Sequence, residues 1–150
     1  MTPTLASPLA ELYEEDETAW LDVMAELVLR RDFSALDLKN LAEYLSDMAR
    51  RDRREVKSRL TLLLSHWLKW DYQPVKRSGS WRATIAAQRS ELSDFADSGV
   101  LRHHAESILA DAYANAVEQS ALETNLPDST FPSDCPWSLD QLLNAIPDES

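Results

Sequence analysis

The sequence predicts an all-α protein, a compact multi-helix bundle of five main helices and a short C-terminal one. Three observations lead there. Only Gly79 and Gly99 occur in 150 residues, whereas sheet folds use glycine for turns with positive φ. Apolar residues recur at helical spacing through most of the chain. Ser and Asp stand at N-cap positions ahead of several of these runs.

Residues 1–10, with Pro3 and Pro8, read as a flexible lead-in, and residues 147–150 as a tail, leaving 11–146 as a single helical domain. The first helix is expected over about 11–31. Its acids Glu14, Glu15, Asp16 and Glu17 fall early and Arg30 and Arg31 fall at its end, as the macrodipole favours. Ser34-Ala-Leu-Asp37 has capping-box spacing and opens a second helix carrying Leu38, Leu41, Ala42, Leu45 and Met48. Asp52-Arg-Arg-Glu55 either restarts the chain as a third helix or lies inside one continuous helix. The third helix ends near Tyr72, before Gln73-Pro74. Val56, Leu60, Leu63, Trp67 and Trp70 form its apolar face, and Arg54, Lys57, Ser58, Thr61 and Ser65 its polar side. Ser80 is the expected N-cap of a fourth helix over about 81–97. Asp97-Ser98-Gly99 breaks the chain before a fifth over about 100–124, ended by Pro127. Ser138-x-x-Gln141 caps a short last helix with Leu139, Leu142, Leu143 and Ile146. The second, third and fifth helices are expected to supply most of the core.

Charge is unevenly distributed. Residues 50–89 carry eleven Lys and Arg against three acids, within a chain of net charge −11. Residues 1–49 and 90–150 are both strongly acidic, so the basic stretch either docks on acids of the same molecule or receives an anionic partner. A pI near 4.6 argues against non-specific attraction of the whole molecule to nucleic acid or anionic lipid. The single cysteine, Cys135, excludes an internal disulfide framework and suits a reducing, cytoplasmic setting. The N-terminus lacks the basic and apolar regions of a signal peptide, and no apolar run has the length of a membrane span.

The segment LLLSHWLKWDYQPVKRSGSWRATIAAQR (62–89) resembles the central signature of the bacterial family catalogued as domain of unknown function 29. FPSDCPWSLDQLL (131–143), YEEDETAW (13–20) and LDLKNLAEYLSDMA (36–49) are also similar to it. The resemblance implies an all-helical bacterial domain and brings no activity or catalytic residue with it. Members tend to have glycine where this chain has Ala49, and alanine there weakens the case for a sharp break and favours a longer, bent second-and-third helix.

Five features carry candidate chemistry. The loop and helix start at Lys76, Arg77, Ser78, Gly79, Ser80 and Arg82 combine cations, hydroxyls and free backbone N–H groups, the elements of a phosphate or carboxylate site. The bland alternative is that these cations pair with acids of the first and fifth helices. Arg50, Arg54 and Lys57 form a basic helix face, to be read either as an anion-binding surface or as a solvated, salt-bridged one. Trp67 and Trp70 lie at core spacing, while Trp81 stands at a helix start. His66, His103 and His104 lack metal-ligand spacing, and His66 could meet Glu43 or Asp47 of the second helix. Cys135 has no base near it in sequence and acidic neighbours that would raise its pKa.

No catalytic, metal or cofactor constellation is legible. The function expected is therefore a non-enzymatic protein-interaction module, with an unidentified protein partner or a second copy of itself. The alternative is a binder of an anionic ligand or nucleic acid through the 76–82 loop and the helix cations; no membrane role is expected.

Overall fold

The computed structural model describes residues 8–147, which divide at Arg50–Arg51 into two compact units. All regular structure in the described residues is helical. Residues 1–7 of the expected lead-in and 148–150 of the expected tail lie outside the described residues.

The first unit holds α1 (Pro8–Glu15), α2 (Glu17–Leu29), a 3-10 turn at Phe33–Ala35 and the start of α3 (Leu38–Tyr72). The single first helix expected over 11–31 is thus two helices. Asp16 leaves the helical region at φ −152° and its carboxylate accepts from the Ala19 amide at 3.1 Å. An acidic run that reads as dipole compensation contains an N-cap. α2 stops at Leu29 because Arg31 takes the left-handed conformation, φ 59°. The Asp32 amide then donates to Leu27 O and the Arg31 amide to Val28 O, a Schellman end made without glycine.

Asp37, not Ser34, opens α3. The Ser34 hydroxyl is turned to Asp32, whereas the Asp37 carboxylate accepts from the Asn40 amide at 3.4 Å and from Asn40 Nδ2 at 2.8 Å. The same carboxylate accepts from Trp20 Nε1 at 3.2 Å, which ties α2 to the start of α3. Trp20 is fully buried with Met24 and Leu27. Tyr13 and Tyr44 tilt against its ring, with centroids 4.6 and 6.0 Å away.

The second unit comprises α3 from Arg51 onward, α4 (Gly79–Ala96), α5 (Gly99–Thr124) and α6 (Leu139–Asn144), with 3-10 turns at Pro74–Lys76 and Asp128–Thr130. No break interrupts α3 at 49–52, so the continuous reading holds and Arg53 and Arg54 stand at no helix N-terminus. Val56, Leu60, Leu63, Leu64, Trp67 and Leu68 of α3 form the centre of the core, against Ile85 and Leu92 of α4, Ala112 and Ala116 of α5 and Leu142 of α6.

Burial extends round to the side of α3 expected to be polar. Ser65 is fully buried, and its hydroxyl meets that of Ser120 on α5 at 3.1 Å, so each satisfies the other. Ser98 caps α5, and Ser138 with Gln141 completes the expected capping box on α6. Ile146 lies past the end of α6 and is exposed. Ser78 rather than Ser80 caps α4, accepting from the Trp81 amide at 3.2 Å.

The second helix contributes less core than expected. Leu38 and Leu45 are 65% and 59% exposed, and only Leu41 and Tyr44 of that stretch pack on the Trp20 cluster.

Candidate functional site

Three surfaces compete for function: the basic loop, a trough beside α5 and the outer face of the first unit. Arg77 Nε donates to Trp70 O at 2.8 Å, satisfying a carbonyl in the last turn of α3, and its guanidinium stacks over the Trp70 ring at 4.9 Å. Ser78 is engaged as the α4 cap. Gly79 is the first residue of α4 and has no positive φ, so the backbone does not curl into an anion nest there. Ser80 and Lys76 are exposed, and Arg82 is half-buried and has its own contact.

Elsewhere in the basic stretch the cations are partly committed. Arg50 pairs with Asp47 at 2.5 Å. Arg59 pairs with Glu55 at 2.8 Å and donates to Gln88 Oε1 at 3.1 Å. Lys69, only 8% exposed, reaches Glu123 on α5 at 2.7 Å and lies 5.4 Å from the centre of the Trp81 ring. Its hydrogen bond holds the Glu123 carboxyl below the usual range. Nothing in the charge pattern distinguished Lys69 from its exposed neighbours; its place one turn from Ser65 on the covered side of α3 does. Arg51, Arg54 and Lys57 form no ion pair among the described residues.

The histidine expectation changes with the fold. With 38–72 in one helix, Glu43 and Asp47 do not lie on a neighbouring helix, and His66 Nδ1 instead meets Leu62 O at 2.9 Å. Burial pushes the His66 imidazole below its ordinary value. Trp67 and Trp70 are core residues, and the Trp67 Nε1 is buried without a hydrogen-bond partner among the described residues. No group of three or more His, Cys, Asp or Glu among those residues is arranged to hold a metal ion.

The trough runs between α5 and the connector that follows it, with a volume of about 720 Å³. Ala110, Ala114 and Val117 form one wall, and Phe131, Pro132 and Cys135 belong to the other. Tyr113 Oη donates to Pro132 O at 2.6 Å, which fastens the connector to the helix. Burial raises the Tyr113 phenol to about 12 and pushes the Cys135 thiol up as well. Cys135 Sγ donates to Trp137 O at 3.3 Å, and the same burial disfavours its thiolate.

The outer face of the first unit is the third surface. Its described residues expose Val28, Leu29, Phe33, Leu38 and Leu45 and bury only Trp20, Met24 and Leu27. The second unit exposes as many large apolar side chains but buries seventeen core residues. The first unit is therefore the one whose apolar surface is left largely uncovered.

Comparison with known families adds one finding: a family model, described as a domain of unknown function, matches residues 12–146. The chain belongs to the DUF29 family. The match takes in every described helix except the start of α1, so the DUF29 domain spans both compact units. No match to a curated protein or to a solved structure was found. No helix among the described residues is long and apolar enough to cross a membrane.

Proposed function

We propose that the chain is a non-enzymatic protein-interaction module and that the outer face of its first unit associates with a second copy. One observation carries this reading: the described residues of the first unit expose more large apolar side chains than they bury. Leu38, Ala42, Leu45 and Ala49 recur at i, i+4, i+7 and i+11 on α3, within one narrow stripe, and all four are exposed. Large and small residues alternate along it. In an antiparallel pairing of two such stripes, Leu38 meets Ala49 and Ala42 meets Leu45, so each leucine faces a small residue. Such a contact is isologous and closes as a dimer.

Sedimentation velocity over a range of concentrations tests this. The wild-type chain is expected to dimerise, and Leu38→Asp with Leu45→Asp to leave a monomer of unchanged helicity. Burying a leucine contributes about 1.5–3 kcal/mol, so the double variant should weaken association at least a hundredfold. A wild-type chain that stays monomeric at every concentration ends the reading.

A second reading rests on Arg51, Arg54 and Lys57, which no carboxylate among the described residues engages, and on exposed Lys76. These cations could receive an anionic ligand or nucleic acid. Titration with a single-stranded oligonucleotide should then show log affinity falling with log salt by about 0.7 per phosphate contacted. No fluorescence response to oligonucleotide or sulfate at low salt removes this reading.

A further inference from the structure

We infer that the trough between α5 and the 126–135 connector receives a basic, apolar-anchored peptide segment of a protein partner. This surface is independent of the first-unit face. Ala110, Ala114 and Val117 repeat at i, i+4 and i+7, and their small size leaves room beside the helix for an incoming side chain. The opposite wall is pre-set. Phe131 is buried with its ring edge-on to Tyr72 at 5.3 Å, Pro132 is held by the Tyr113 hydroxyl, and a 3-10 turn fixes 128–130. A wall ordered before binding lowers the entropy lost on association.

Charge selects the occupant. The ionisable carboxylates lining the trough, Asp128 and Asp134, are exposed, and no Lys, Arg or His lines it. The trough shares Asp128 with a second depression, lined by Glu118 and by Leu122, which is 75% exposed. Residues 90–150 contain one cation, Arg102, and it is already engaged by Asp140 and Glu106. No Lys, Arg or His lines either depression, so this rim stays acidic and a phosphate backbone would be repelled. From Ala110 to Leu122 the helix rises about 18 Å, the length of five or six extended residues. The trough and the depression that shares Asp128 with it together offer that length, which suits a peptide with alternating apolar and Lys/Arg side chains better than a compact small molecule.

The test uses the full chain and two labelled synthetic peptides of alternating Leu and Lys, or Leu and Glu, followed by fluorescence anisotropy. The Lys peptide is expected to bind and the Glu peptide not to. Ala114→Trp, at an exposed helix position, fills the trough without altering charge and should weaken binding tenfold or more. Asp128→Asn with Asp134→Asn should weaken it about tenfold. Glu14→Gln with Glu15→Gln removes equal charge elsewhere and should leave it unchanged. Failure of the Lys peptide to bind, or equal losses in the Asp128/Asp134 and Glu14/Glu15 pairs, overturns the inference. Should Ala114→Trp disturb the fold by circular dichroism, the two charge pairs decide. These outcomes are separate from the dimer test, since a monomer can bind the peptide and a dimer can ignore it.

Discussion

Trp20→Ala is expected to unfold the first unit and leave the second intact. Trp20 is the largest fully buried side chain of its cluster, and among the described residues only Met24 and Leu27 are buried beside it. Truncation of a buried tryptophan costs about 3–5 kcal/mol. A unit of this size holds roughly 0.05–0.15 kcal/mol per residue, so the loss matches most or all of its stability. The change also strips Asp37 of its Trp20 partner, at the point where α3 begins. Trp67, Trp70, Trp81 and Trp137 all lie in the second unit and report on it alone. The expected result is a partial loss of helical ellipticity and fast amide exchange over α1 and α2, with emission from the remaining tryptophans unchanged. Full protection of α2 in the variant would show that the Trp20 cluster does not hold the unit together. Asp37→Ala should have a smaller effect of the same kind, about 1–2 kcal/mol for a lost cap.

The second large effect is an asymmetry at Lys69–Glu123. Lys69 is almost wholly buried, whereas the Glu123 side chain is 42% exposed. Glu123→Ala leaves an ammonium buried without its carboxylate. Lys69→Met leaves a carboxylate that water can reach and replaces the buried charge with an apolar group of similar length. Glu123→Ala is expected to cost about 1–2 kcal/mol, discounted for the solvent at Glu123, and Lys69→Met less than about 1 kcal/mol. Urea midpoints of the two variants measure this. Equal losses would mean that packing of the lysine stem, not its charge, is what matters.

The same pair sets part of the pH dependence. Glu123 titrates below its ordinary value in the fold, first because Lys69 donates to it. Its stabilisation is present above the ordinary glutamate pKa and is lost as pH falls through the folded value. His66 works in the same direction by another route. Burial depresses its pKa, so below about pH 6.5 the unfolded chain binds a proton that the folded chain refuses. Stability should therefore start to fall below about pH 6.5 and fall further in the carboxylate range. His66→Gln should remove the first part of that loss, and Lys69→Met should reduce the second.

Much of this was legible in the sequence, and the misses share a cause. Two glycines and helical spacing predict an all-α chain, and Ser138 with Gln141 forms the reciprocal cap that its spacing announces. Caps hidden inside charged runs were not legible. Asp16 sits among glutamates, and Ser34 and Asp37 both stand before an apolar stripe; only contacts with Ala19, Asn40 and Trp20 separate cap from bystander. The αL end at Arg31 was also invisible, because the usual glycine marker is absent. Of the suspected anion loop, Arg77 and Ser78 turn out to end one helix and begin another.

The sequence by itself determined that the chain is helical and where its apolar residues recur, since both follow from local propensity and period. Tertiary structure alone decided what covers each stripe. Ser65 and Lys69, polar by composition, are buried because α5 offers Ser120 and Glu123 to satisfy them. Leu38 and Leu45, apolar by composition, are exposed because α1 and α2 cover the face with Leu41 and Tyr44 instead. Periodicity gives the direction of a side chain around its helix; whether that direction meets protein or water depends on a neighbour elsewhere in the chain.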